Sequence, residues 1–253
     1  NGKFYTKLCP APVTPKYLIK ETGSLGATKK DFHFSRLTHY LFRGWLVPQT
    51  LGFWSAFKLF FAIFRPRTSP SAVSSFMHID KTSNLVIENT NLNRREKHLQ
   101  VGFTVDEMAV RVENVLKSIG LVKDFAPLVY VIGHGASSAN NPHYAAYDCG
   151  ACSGRPGSVN ARVFSFMANH TKVREILKQG GIDIPENTVF CGALHDTTRD
   201  EMLFFENKLP PAALVLHQKN ETIFRNALDL NARERSRRFD NVNTRLAPQT
   251  VHE

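Results

Sequence analysis

The residue types best suited to chemistry gather in one stretch, Val131–Arg155, which reads VIGHGASSANNPHYAAYDCGACSGR. Within these 25 residues stand His134, His143, Asp148, Cys149 and Cys152. Imidazole nitrogen and thiolate sulfur are donors that hold zinc, so a zinc half-site is the leading expectation. Gly133 and Gly135 flank His134 and permit a tight backbone path with close approach by a small substrate. Cys149 follows His134 by 15 residues, so the intervening loop must fold back if both are to reach one ion. Zinc would also require a deprotonated Cys149 and a neutral His134.

Cys149 and Cys152 form a C-x-x-C motif, which admits a thiol redox pair or half of a structural zinc knuckle. No second C-x-x-C is present, and this one follows a long polar loop instead of opening a helix after a strand. Cys152 is therefore read as a small side chain packed near the metal. Farther along, His195, Asp196 and Asp200 follow the apolar run TVFCGAL and are expected to line the same cleft in a supporting role. A polar turn held by Asp–Thr hydrogen bonds is the competing reading.

To present His134, a buried strand must run through Leu128–Ile132 and deliver it at the carboxyl end, where open α/β sheets commonly bind ligands. A helix precedes that strand. Thr104 and Glu107 have the T-x-x-E spacing of a capping box, and Val105, Met108, Ala109, Val112, Val115, Leu116 and Ile119 line one face. Gly120 is the expected stop. Ala161–Gln179 reads as a helix broken near His170 and Thr171, capped by Ser158 or Asn160 and closed by Gly180 and Gly181. TVFCGAL, MLFFE and AALVLH are read as strands, and a last helix runs from about Glu221 to Phe239. Helix followed by strand points to an α/β layer.

Upstream, residues 1–30 contain three prolines with several Gly, Ser and Thr residues and are read as an extended arm or linker. A helix is expected from Asp31 to Trp45. Leu51–Phe64 is strongly apolar, but its 14 residues fall short of the roughly 20 needed to span a bilayer. It is read as a core helix, with a membrane-surface helix as the alternative. MHI and LVI are short strand candidates, and His78, Asp80 and His98 are read as solvated residues on polar connections. The division expected is 1–100, an amino-terminal arm, apolar helix and irregular connections, and 101–253, an α/β domain carrying the half-site.

With 253 residues the chain is long enough for a sizeable core. Its net charge of +10 favours an acidic partner. The chain has no alternation of aromatic and basic residues of the kind nucleic-acid modules use, so nucleic acid is not an expected partner. Four cysteines, Cys9, Cys149, Cys152 and Cys191, are too few and too uneven for a secreted disulfide framework, which implies a reducing, cytoplasmic compartment.

The run GHGASSANNPHYAAYDCGACSGRPGSVNAR, followed by IPENTVFCGALHDTTRDE, resembles the DabA family of inorganic carbon transporter subunits over roughly Val129–Arg238. The resemblance implies an open, mainly parallel α/β sheet flanked by helices, like β-carbonic anhydrases, with Zn2+ held by two Cys, one His and one Asp. It implies hydration of carbon dioxide to bicarbonate beside a proton-translocating membrane subunit, with the chain peripheral on the cytoplasmic side of the inner membrane. The family's G-H-G histidine corresponds to His134, and the first cysteine of its D-C-G-A-C to Cys149. The other two ligands belong to a C-x-D-x-R motif that this sequence lacks. The chain is thus expected to be an internal piece, catalytically silent alone, with the family's Asp–Arg pair absent. Asp148, Cys152, His143, His195 and Asp196 remain supporting candidates. Asn140, Asn141, Arg155 and Arg162 are read as loop braces before bicarbonate ligands. Two alternatives stand beside this reading: a non-catalytic module docking on a membrane partner, and a redox protein using Cys149 and Cys152.

Overall fold

The computed structural model describes residues 3–6, 16–22, 57, 60, 84–91, 93, 95–96, 98–136, 156–197, 200–206 and 209–240. The chain forms two compact units, one of Asn1–Thr22 with Ser83–His252 and one of Gly23–Thr82. In the second, Phe57 and Phe60 are the described residues; both are helical and exposed. The rest of the helices expected at Asp31–Trp45 and Leu51–Phe64, and the MHI strand, lie outside the described residues.

The first unit is α/β, with its described strands in two mixed sheets. Strands β1 (Lys3–Thr6), β2 (Tyr17–Thr22), β3 (Asn84–Val86), β4 (Arg95–Glu96) and β5 (Leu99–Val101) make one sheet. β2 is its centre: it pairs antiparallel with β1 and β3 and parallel with β5. Residues 1–30 therefore do more than form an arm, because Leu18 and Ile19 are 2% and 3% exposed. Prolines at 10, 12 and 15 signal irregular chain locally, but pairing with β5 some 80 residues away is not a local property.

Helix α1 (Val105–Ser118) follows, and both halves of its capping box form. Thr104 Oγ1 accepts from the Glu107 amide at 3.3 Å, and Glu107 Oε2 accepts from the Thr104 amide at 2.9 Å. Met108, Ala109, Val112 and Leu116 are buried as the periodicity requires, whereas Val115 and Ile119 face solvent at the edge of the stripe. Gly120 ends the helix at φ +73, a conformation glycine adopts without strain.

Strand β6 (Leu128–Gly135), helices α2 (Ser158–Asn169) and α3 (Thr171–Gln179), and strand β7 (Val189–Asp196) build a β-α-β crossover. Such a crossover is what parallel pairing of β6 with β7 demands. The helix breaks at His170, as expected, because that residue is extended (ψ 123). Its start differs: Gly157 is the N-cap, and neither Ser158 nor Asn160 caps with a side chain. Strand β8 (Glu201–Phe204) returns antiparallel to β7 through a short turn, so the three-stranded sheet β6-β7-β8 is mixed instead of wholly parallel.

Helix α4 (Pro211–Ser236) corrects the third strand candidate. AALVLH is its first part: Pro211 suits the first turn of a helix, and Ala213 and His217 bury at helical spacing. The main core joins α1 and α3 to both sheets through Ile19, Phe103, Met108, Leu177 and Phe190.

Candidate functional site

β6 and β7 run in register, with His134 opposite His195 and Gly135 opposite Asp196. His134 thus lies within the last residues of its strand, and its side chain is exposed. Because side chains alternate along strands, His134 and His195 share one sheet face, while Asp196 projects to the other. The His134 face also carries Tyr130 and Phe204, which contact α4 through His217 and Phe224. On the opposite face α2 sits directly on the strands. A Cβ at Gly133 would lie 2.5 Å from the Gly157 carbonyl oxygen, and one at Gly192 3.2 Å from Ala161 backbone. The Gly157 amide donates to the His134 carbonyl at 2.7 Å, fixing the start of α2 against the strand that carries His134. Asp196, 1% exposed, belongs to this packed side.

His195 is held from behind. Its Nε2 lies 3.5 Å from Asp200 Oδ1, and the Asp200 side chain is 3% exposed. Arg235 pairs with Asp200 Oδ2, and Asn231 donates to Oδ1 at 3.4 Å. Arg235 also donates to the Thr197 carbonyl at 3.2 Å, while the Thr197 amide donates to the Gly135 carbonyl at 3.0 Å. Asp200 sits at φ +50, a left-handed position that Asp tolerates better than most residues. The Asp200 carboxyl group sits beside the His195 ring without a hydrogen bond to Nε2. A basic residue near a helix C-terminus suits the helix dipole, but the partner of Arg235 is a buried carboxylate 35 residues upstream.

Behind the edge, His217 is 1% exposed, with Tyr130 Oη 3.0 Å from Nδ1 and Glu206 Oε2 3.4 Å from Nε2. Burial pushes the Tyr130 phenol above its usual range. Burial, with the nearby Glu206 charge, pushes the Cys191 thiol up to about 12, so Cys191 is a packing residue and no thiolate donor. Arg162 stacks its guanidinium 4.9 Å above the Phe205 ring. His98 occupies an exposed turn at φ +66. His143, Asp148, Cys149, Cys152, Asn140, Asn141 and Arg155 lie outside the described residues. Among the described residues, no group of three or more His, Cys, Asp or Glu is arranged to hold a metal ion.

The family described as "Probable inorganic carbon transporter subunit DabA" matches residues 1–253. The chain belongs to the DabA family. The match takes in the upstream half as well as Val129–Arg238. A DabA protein of Nitrosospira multiformis, "Probable inorganic carbon transporter subunit DabA", is 56% identical over 100% of this chain and 28% of its own length. Its Azotobacter vinelandii counterpart of the same name is 58% identical over 100% of this chain and 30% of its own length. "Probable inorganic carbon transporter subunit DabA 2" of Sorangium cellulosum is 35% identical over 97% of this chain and 26% of its own. The chain thus spans less than a third of the length of these DabA relatives. No solved structure matches it.

Two features of the site escaped the sequence reading, Asn231 with Arg235 and the buried His217. The signal for His217 was present in its helical spacing from Ala213, once AALVLH is read at a period of 3.6.

Proposed function

We propose that this chain is part of a zinc-dependent, carbon dioxide-hydrating subunit of a bacterial inorganic carbon uptake complex. The observation that carries the reading is His134, an exposed imidazole at the carboxyl end of a parallel strand pair, in a chain of the DabA family. In this reading the sheet is the core of a β-carbonic anhydrase-like arrangement completed by other parts of the longer polypeptide.

The chemistry of the donors fits zinc: an imidazole nitrogen from His134 and a thiolate from Cys149 are two of the four ligands a tetrahedral site uses. The described residues do not complete such a set, so the remaining Cys and Asp come from the family's C-x-D-x-R motif elsewhere in the full-length polypeptide. The Asp–Arg pair that governs access has the same origin. Bound zinc would supply a Lewis acid that activates water toward carbon dioxide. The chain's own residues bind and orient. His134 offers its imidazole, the Gly133–Gly157 contact keeps the strand end rigid, and Asp200 sits beside His195 on the same face. The subunit works peripherally on the cytoplasmic side of the inner membrane with a proton-translocating membrane subunit, and the relatives' names as transporter subunits support such a complex.

Zinc content of the full-length polypeptide tests this. One zinc per chain is expected, lost in His134→Ala and Cys149→Ser but retained in Cys152→Ser, with carbon dioxide hydration falling in parallel. Full zinc in both His134→Ala and Cys149→Ser refutes the ligand assignment. A reversible Cys149–Cys152 disulfide without metal favours the thiol redox reading instead.

A further inference from the structure

Strand β6 stands at one end of its sheet, whose strand order is β6-β7-β8. Parallel pairing aims alternate residues of a strand at opposite edges. The carbonyls of Pro127 and Gly135 accept from the Val189 and Thr197 amides, so the odd-numbered residues of β6 face β7. Leu128, Tyr130 and Ile132 therefore turn both amide and carbonyl to the outer edge, where no backbone hydrogen bond reaches them among the described residues. His134 is the next outward residue, and its carbonyl is taken by the Gly157 amide at 2.7 Å. The open part of the edge is thus the stretch of backbone that leads to His134.

Edge strands of native sheets are kept from further pairing by a charge, a proline, a bulge or very short length. β8, the opposite edge, has four residues and opens on Glu201. β6 has eight residues, LVYVIGHG, with no Lys, Arg, Asp, Glu or Pro, and its register with β7 is unbroken. Such an apolar run is the composition of a strand enclosed on both sheet faces. Both faces are indeed covered, by α2 at Gly133 and by α4 at Tyr130. What β6 lacks is a neighbour in the plane of the sheet. Amides and carbonyls in a row are satisfied by another extended backbone, so the occupant is a strand and not an acyl chain. A ladder of three outward residues is a weak basis for joining separate chains, which lose translational and rotational freedom on association. It suffices for a segment of the same polypeptide, held at high effective concentration by its tether. The chain spans less than a third of the length of its relatives, which leaves ample polypeptide to supply that segment. We infer that a β-strand from the part of the full-length polypeptide outside these 253 residues pairs with the outer edge of β6. In either direction one end of that strand comes beside His134, so the segment flanks the candidate site. The pairing rests on neither zinc nor carbon dioxide hydration.

Hydrogen exchange of the purified full-length polypeptide, read residue by residue with electron-transfer fragmentation, tests the inference without a variant. The outward amides of Tyr130 and Ile132 are expected to exchange within about tenfold of the inward amides of Val129 and Val131, which bond to β7. That protection is expected to persist on dilution by about a hundredfold. Exchange of the outward amides faster than the inward ones by about a hundredfold or more marks an open edge and overturns the inference. Protection lost on dilution assigns the edge to a second copy, and protection that appears only with another protein bound assigns it to that protein; either overturns the inference. Ile132, 46% exposed, accepts a photoreactive side chain. In Ile132→p-benzoylphenylalanine, cross-links from position 132 to peptides of the same molecule outside these 253 residues are expected. Cross-links confined to these residues overturn the inference.

Discussion

Gly133→Ala is expected to damage the site's scaffold out of proportion to one added methyl group. The new Cβ would lie 2.5 Å from the Gly157 carbonyl oxygen, 2.6 Å from its carbonyl carbon and 3.1 Å from the Ser158 nitrogen, all backbone atoms. Ordinary contact begins near 3.4 Å, so the first turn of α2 must retreat by 3.4 − 2.5, about 0.9 Å. Movement of that size along the Gly157–His134 hydrogen bond stretches it from 2.7 Å to about 3.6 Å, beyond bonding range. Overpacking costs about 1–3 kcal/mol and the lost bond about 1 kcal/mol, for a total of about 2–4 kcal/mol. Gly135→Ala is the control: its nearest neighbour is the flexible end of Leu194 at 3.1 Å, and about 1 kcal/mol is expected. Chemical denaturation gives the two stabilities, and hydrogen exchange reports the Gly157 amide and the first turn of α2. Equal stabilities within about 0.5 kcal/mol, with Gly157 protection intact in Gly133→Ala, would refute the close-packing argument.

Two further outcomes follow from the titratable groups. Burial opposes ionisation of Glu107, but the Thr104 amide, Tyr17, Gln100 and Arg111 outweigh it and hold its pKa below the usual 4.5. A depressed folded-state value means its stabilisation is complete above pH 4.5 and is lost as pH falls through the lower folded value. Glu107→Gln should therefore remove part of the acid dependence of stability in denaturation measured across that window, and an unchanged pH dependence contradicts the assignment. Cys191, with its thiol pushed up to about 12, should resist iodoacetamide in the native protein at mildly alkaline pH and react on unfolding. Rapid native alkylation mapped to Cys191 contradicts its burial in β7.

Local signals carried the crossover. The T-x-x-E box, the break at His170 and the apolar strands ending in His134 and His195 all follow from hydrogen-bonding capacity and side-chain period within a few residues. What failed depended on distant partners. Tyr17–Thr22 follows a proline-rich approach, and its pairings with Lys3–Thr6, Asn84–Val86 and Leu99–Val101 make it a central strand. AALVLH has the composition of a buried strand, yet the Pro211 start and the contacts of His217 with Tyr130 and Phe204 make it helix. Arg235 belongs to a charge run whose composition is explained equally well by solvent, so its Asp200 partner was invisible. The register that sets His134 beside His195 is likewise a tertiary fact, although each residue was singled out on its own. The stretch bearing His143, Asp148, Cys149 and Cys152 is legible from its motif alone.

The Asp200–Arg235 pair has a mechanical consequence. Arg235 lies 24 residues from Pro211, a distance of about 36 Å along a helix. A tilt of about 5° pivoted at Pro211 would carry Arg235 roughly 3 Å, farther than an ion pair can stretch. Either the pair breaks or the turn holding Asp200 and His195 travels with the helix. The rod and the imidazole are therefore linked in free energy, and linkage is reciprocal: whatever tilts α4 shifts the equilibrium of the edge, and whatever binds at the edge shifts the tilt by the same amount.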